Sequence, residues 1–519
     1  MKKREGRRAN FFATPLLFAG AAILLLAAGC VWPLQAQVAK YQPGAYPAPR
    51  HPQFRNFTVE DLLPKARILV RKPASRQPLE PGYGIKPGMR VLILVDKNFS
   101  TVVLEAIDQA IEEVGGRVDI IRTHVPQRGD LEGNQGWQEI NFFSSFISKD
   151  TTKQPNALQN ALVATGALSG GRYDLLLNGS GGPIPVTDFG WEYIPWDSPD
   201  KFYYSQAGFP YELQKAIDDK AWDYVIRNRK SHAEDPEGTD LTWSWHPNFV
   251  AQLREEWPGY NMVLAGHLSP FPLFLSPKEA EANGVISGTI NHVGTFPFLK
   301  LTVQQNAITK IEGGAKYGQM WQEMLEKCRR IQYPGFPAPG CGWLEESAIG
   351  TDPWRTRSLT SDTQLWQFSW ERGRSGVIHW GLGVTRNTSA LPSVLEWHQT
   401  HENPVGGGHF HIHTYLTTLD FTLEDGKTVR LLDKGHMTLL DDPEIRAIAA
   451  KYGDPDELLQ EKWVPAFPGI NVPGDYMKDY AADPMKFIAS ELRGWRQALA
   501  ASSTGKAKET AVGGPLAKK

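Results

Sequence analysis

The chain has 519 residues, with 55 Lys and Arg against 57 Asp and Glu, a net charge of −2 and 41% hydrophobic residues. That balance excludes a strongly basic nucleic-acid binder and a disordered polyelectrolyte, and it supports a globular core too long for one ordinary domain. With only Cys30, Cys328 and Cys341, it also excludes a disulfide-dense scaffold or a zinc-thiolate site built from CxxC pairs.

The first element is a basic stretch at residues 1–10 followed by an apolar run from Phe11 to Ala28. This is a secretory signal or anchor pattern, and residues 1–36 are expected to lie outside the fold. LLLAAGC, ending at Cys30, has the form of a bacterial lipoprotein cleavage box, and Leu34-Gln35-Ala36 offers an ordinary cleavage site. The expected location is therefore extracytoplasmic, either periplasmic or membrane-attached through a lipidated Cys30. From Tyr41 to Pro81 the chain is proline-rich and is expected to wrap the surface as an arm.

Val91–Val95 then reads as a buried strand, Thr101–Val114 as an amphipathic helix ended by Gly115-Gly116, Val118–Ile121 as the next strand and Tyr173–Asn178 as another. The loop GSGGPIPV lacks both GxGxxG spacing and a P-loop lysine, so it reads as a turn. Residues 37–237 are expected to form a Rossmann-like α/β domain that serves as scaffold or substrate wall. From Gly238 short strands and glycine turns dominate: Val285–Ile290, Phe298–Val303, Ile308–Ile311, a helix at Lys316–Cys328, then strands near Ser375–Gly381, His409–Phe421 and Lys427–Leu432. Residues 238–500 are expected to form an α+β domain that carries the metal site, and 501–519 a polar, unpacked tail. Outside the cytoplasm, Cys328 and Cys341 are expected to pair across their Pro/Gly-rich loop.

His409, His411 and His413 occupy alternate positions of GGGHFHIHTYLTTLDF. On a strand, residues two apart share a face, so three imidazoles would line one surface. Histidine is the commonest metal ligand, and this spacing points to a metal. A cupin also opens on HxH but follows it with a Glu a few residues on, and TYLTTLDF has none. His401 and Glu402, close by, read as surface or supporting groups.

Seven segments in one order resemble the aminopeptidase T family of metallopeptidases, whose superfamily includes the 2,5-dihydroxypyridine dioxygenases with a non-haem iron. They are GIKPGMRVLILVDKN…AIDQAIEEVGGRVDII, EGTDLTWSW, VLAGHLSPFPLFLSP, AITKIEGG, EESAIGTDP, GVIHWGLG and HIHTYLTTLDFTLEDG, spread over residues 85–435. The resemblance implies an α/β Rossmann-like N-terminal domain plus an α+β metal-binding C-terminal domain. Matching motif positions, it implies a metal set of His267, Glu346, His379, His411 and His413, with Glu346, or Glu345 beside it, as ligand or general base; His409, which shares a strand face with His411 and His413, is a further candidate on spacing alone. Two positions depart from the peptidase pattern, because His267 stands where it has Glu and His413 where it has Asp. Neutral imidazoles neither bridge two cations nor offset their charge, so a single divalent ion (zinc, iron, manganese or copper) suits this set better than two.

Three functions remain open on this reading. The first is an exported metal-dependent hydrolase of peptide or amide bonds; the others are a mononuclear iron ring-cleaving dioxygenase and a non-catalytic metal- or ligand-binding lipoprotein. The expected partners are a small-molecule or peptide substrate, with no nucleic acid. A homodimer is expected only by analogy with the resembled family.

Overall fold

The structure is a computed structural model that describes residues 38–72, 82–96, 99–123, 171–179, 190–194, 196–205, 208–244, 266–268, 281–334, 336–357, 368, 370–384, 397, 400–401 and 409–503. The signal segment, Cys30, the cleavage sites and the GSGGPIPV loop therefore lie outside the described residues, as does nearly all of the polar tail.

The N-terminal part forms the alternating pattern expected of it. Strand β1 (Arg90–Asp96) pairs in parallel with β2 (Arg117–Thr123) on one side and β3 (Leu175–Gly179) on the other, and β4 (Gly190–Tyr193) extends the sheet. Val91, Ile93 and Val95 are buried against α2 (Thr101–Glu113), and Leu92 and Leu94 are buried on the opposite face, as a parallel strand covered on both sides requires. Ser100 caps α2 by accepting from the Val103 amide at 3.4 Å.

The proline-rich arm contains an element its composition conceals. Val59–Arg71 is a helix, α1, opened by a reciprocal capping box between Thr58 and Asp61 and carrying Pro64 inside it. Its Leu62, Ala66, Leu69 and Val70 are buried in the same core as α2, and this apolar burial outweighs the hydrogen bond that Pro64 forfeits.

The rest is built on a twelve-stranded sheet. The strands are β5 (Asn228–Glu234), β6 (Asp240–Ser244), β7 (His267–Leu268), β8 (Asn283–Ile290), β9 (Thr295–Gln304), β10 (Ala307–Gly313), β11 (Trp343–Gly350), β12 (Ile378–Gly383), β13 (His409–Thr414), β14 (Thr418–Leu423), β15 (Thr428–Asp433) and β16 (His436–Met437). Their order is β13-β12-β11-β10-β9-β8-β6-β5-β14-β15-β16, with β7 paired to β11. Helices Tyr211–Arg227 and Ala315–Cys328 contribute Leu213, Ile217, Trp321 and Met324 to its main core. Among the described residues, no helix is long and apolar enough to cross a membrane.

Three expectations need correction. The single strand expected over His409–Phe421 is two strands, because Tyr415–Thr417 turns the chain from β12's neighbour to β5's. The change of character at Gly238 falls in the turn of the β5–β6 hairpin, where Gly238 takes φ 99°, so both sides of that point belong to one sheet. Cys328 and Cys341 are free thiols buried in the main core, where Cys328 contacts the Tyr333 hydroxyl at 3.2 Å and each thiol acts electrostatically on the other.

The short β13–β14 link also dictates the shape of the sheet. In a flat sheet, strands this far apart in the order would be separated by roughly 38 Å, at about 4.8 Å per step. Three linking residues reach only about 14 Å. The sheet must therefore curl until β13 returns towards β8. At the return, a Cβ on Gly288 of β8 would lie 2.5 Å from Ile412 Cγ2 and 3.3 Å from the His413 carbonyl oxygen, so only glycine admits β13 at this distance.

Candidate metal centre

Alternation on the strands sorts side chains between core and site. On β13, Phe410 and Ile412 enter the main core, as do Ile378, Trp380 and Leu382 on β12. The intervening residues meet in two cross-strand rows. Glu346 pairs with Gly381, which pairs with His411; Ala348 pairs with His379, which pairs with His413. On the other side of β11, Gly350 pairs with His267. Gly381, with no side chain, lies between Glu346 and His411, and the tips of those two side chains come within 4.0 Å of each other above it. His379 Nε2 lies 3.1 Å from the same carboxylate oxygen.

A β-bulge between Leu344 and Glu346 separates the two adjacent glutamates. Glu346 turns to the histidines. Glu345 is the extra residue of the bulge, and its charge bears on the Cys341 thiol. His409 opens β13 opposite Gly383, and its side chain lies outside the described residues, as does Glu402. His401 is exposed and stacked on Trp397 at 4.6 Å, away from the cluster contacts.

The sequence reading missed His292. It sits in the turn between β8 and β9, held by Asn291, whose side-chain oxygen accepts from the Val293 and Gly294 amides, each at 3.0 Å. The curl of the sheet lays this turn over β13. The His292 ring stacks on His411 with centroids 3.5 Å apart, and its Nδ1 lies 2.9 Å from His413 Nε2. A second imidazole pair joins His267 Nε2 to His379 Nδ1, also at 2.9 Å, with ring planes 2° from parallel. The only signal available in the sequence is the Asn-His-Val-Gly turn itself, which has no motif spacing to mark it.

All five rings are at most 5% exposed. Burial, reinforced by neighbouring imidazoles and by the Arg372 guanidinium, holds His267, His292 and His413 well below the usual imidazole pKa. They are neutral at physiological pH, the form that ligates a metal. His292, His379 and His411 each offer a ligand atom within 4.8 Å of the others, so these three could hold one ion with Glu346 alongside. Nδ1 of His267 and Nδ1 of His413 are buried without a hydrogen-bond partner among the described residues. Behind His267, buried Asp218 accepts from the Gly266 amide at 3.1 Å and from Gln214 at 2.9 Å, and it bonds the Thr351 hydroxyl. Burial raises its carboxyl pKa to about 7, partly offset by these hydrogen bonds.

No family model matches the chain, and no curated protein sequence matches it. Among solved structures, the chain is similar to 2,5-dihydroxypyridine dioxygenase from Pseudomonas putida KT2440, at 15% identity and a TM-score of 0.40, covering 75% of this chain and 99% of that one. It is also similar to AmpT from Thermus thermophilus, at 12% identity and a TM-score of 0.37, covering 73% of this chain and 99% of that one. These are the two kinds of protein that the sequence motifs resemble.

Proposed function

We propose that this chain is a metal-dependent enzyme holding one divalent ion at His292, His379 and His411, with Glu346 as fourth ligand or as general base, and that it hydrolyses peptide or amide bonds after export. The observation that carries the reading is the trio of buried imidazoles whose ligand atoms all lie within 4.8 Å, beside a single carboxylate. One carboxylate among five imidazoles offsets the charge of one dication poorly and of two hardly at all, which supports a mononuclear site.

A divalent ion bound there supplies Lewis acidity and a water acidified towards neutrality. The protein's own part is distinct. His292, His379 and His411 each present a ring nitrogen to the same space, and burial keeps His292 well below the usual imidazole pKa. Glu346, 3.1 Å from His379 Nε2, would serve as the proton acceptor for a water activated in the site. The apolar faces of β12 and β13 behind the rings keep bulk water from that side. Export is supported by the basic-then-apolar residues 1–36, and hydrolysis in an extracytoplasmic compartment needs no reductant.

Elemental analysis of purified protein, with aminoacyl-anilide hydrolysis and oxygen uptake on 2,5-dihydroxypyridine measured in parallel, tests the proposal. One zinc or manganese per chain with anilide cleavage is expected. Iron with oxygen uptake would replace hydrolysis by ring cleavage, and a chain that takes up no metal would refute the enzyme reading.

A further inference from the structure

Resting on the metal reading above, we infer that His267 and His413, which the motifs place at ligand positions, do not bind the ion: they are positioning residues that orient His379 and His292. The contacts divide the five rings into two ranks. His292, His379 and His411 form the set whose ligand atoms are mutually within 4.8 Å. His267 and His413 each join one member of that set, His267 through Nε2 to Nδ1 of His379 and His413 through Nε2 to Nδ1 of His292, both at 2.9 Å.

The choice of nitrogen carries the argument. Two neutral imidazoles 2.9 Å apart share one proton, one ring donating and the other accepting. An imidazole that ligates through one nitrogen carries its proton on the other and donates it outward to a partner that fixes the ring. On His379 the nitrogen engaged with the partner is Nδ1, and the one facing Glu346 is Nε2. On His292 the engaged nitrogen is again Nδ1. The nitrogen of His411 nearest Glu346 is also Nε2. His379 and His411 therefore turn Nε2 toward Glu346, and His379 and His292 have Nδ1 engaged by a partner ring, which leaves Nε2 of His292 for the ion.

The His267 and His379 planes are 2° from parallel and those of His292 and His413 are inclined at 61°, so what the two pairs share is the 2.9 Å N···N contact itself. The role usually taken by a carboxylate or carbonyl behind a ligating histidine is here taken by a second imidazole. That explains how His can stand at two positions where the peptidase pattern has carboxylates without adding to the ligand count.

Two measurements test this. In protein labelled with ¹⁵N-histidine and loaded with ¹¹³Cd, scalar coupling to cadmium is expected at Nε2 of three rings: His292, His379 and His411. Coupling at His267 or His413 would overturn the inference and leave the metal reading standing; wild-type protein that binds no cadmium would sink both. In cobalt(II) titrations, H267L and H413L are expected to bind 10–100-fold more weakly than wild type with the same visible spectrum. H267Q and H413Q, whose amide oxygen still accepts from Nδ1–H, should recover most of that affinity. H379A or H292A should lose the cobalt spectrum. If H267Q or H413Q loses it as completely, those rings are ligands and the inference fails. The cadmium measurement uses the wild-type chain, so a variant that fails to fold leaves the test intact.

Discussion

The contact between Gly288 and β13 can be measured as a coupling energy. In Gly288→Ala, the new Cβ would sit 2.5 Å from Ile412 Cγ2, in a pair where Ile412 is fully buried. Carbon atoms pack at about 3.5–4.0 Å, so the gap must open by about 1 Å or Ile412 must leave its rotamer. Overpacking of this kind costs about 1–3 kcal/mol. It is partly hidden by the gain of about 0.5–1 kcal/mol from replacing glycine within a strand. A double-mutant cycle with Ile412→Ala separates the two, because the backbone gain and the 3.3 Å contact with the His413 carbonyl are common to both backgrounds while the 2.5 Å clash exists only with Ile412. Ile412→Ala alone should cost about 2–5 kcal/mol. Gly288→Ala should then be less damaging in the Ile412→Ala background by about 1–2 kcal/mol, read from urea unfolding midpoints at constant m-value. Because β13 carries His411 and His413, Gly288→Ala should also weaken cobalt binding while the double mutant regains part of it. A coupling below about 0.5 kcal/mol, within the scatter of independent sites, would refute the close approach of β8 and β13.

Gly381→Val should abolish zinc or cobalt uptake by filling the space between Glu346 and His411, with far-UV circular dichroism unchanged; uptake at wild-type stoichiometry would show that this space is not needed to hold an ion. Asp218 keeps its proton in the folded chain up to about pH 7 and loses it at the usual carboxylate value when unfolded. The folded state thus binds the extra proton in that window, and Asp218's contribution to stability is lost as pH rises through about 7. Asp218→Asn should therefore gain on wild type by on the order of a few kcal/mol between about pH 5 and about pH 8 in chemical denaturation, and a pH-independent difference would contradict this. Glu371 accepts two bonds from Arg357, at 2.6 and 2.9 Å, and one from Tyr415 at 3.1 Å, all buried. Glu371→Gln strands the guanidinium and should cost about 3–5 kcal/mol, and a loss under about 1 kcal/mol in urea unfolding would show the pair to be dispensable.

Local periodicity made the strand faces readable. His411 and His413 on alternate positions, His379 between apolar neighbours and the continuous apolar run of β1 all announce their orientation through a period of two. His292 could not be read this way. It belongs to a turn, and it reaches the other rings only because a three-residue link forces distant strands together, which is a property of the whole sheet and of no window of sequence. The split between Glu345 and Glu346 depends on a bulge that alternation alone cannot place. Helix α1 was hidden by proline content, although its Thr58/Asp61 capping box stood in the sequence. The cysteine pairing was inferred from loop flexibility and compartment, whereas the structure leaves both thiols unbridged among aromatic and aliphatic side chains.

The curl that assembles the rings has a second effect. A strand path this long would ordinarily end in bare rows of amides and carbonyls, which recruit strands from other molecules. Here one terminal strand, β13, is folded in against β8, and the other, β16, is only two residues long. Loosening the β8–β13 contact would therefore uncover an adhesive border as well as disturb the site, and chains with a larger residue at Gly288 should self-associate before they unfold.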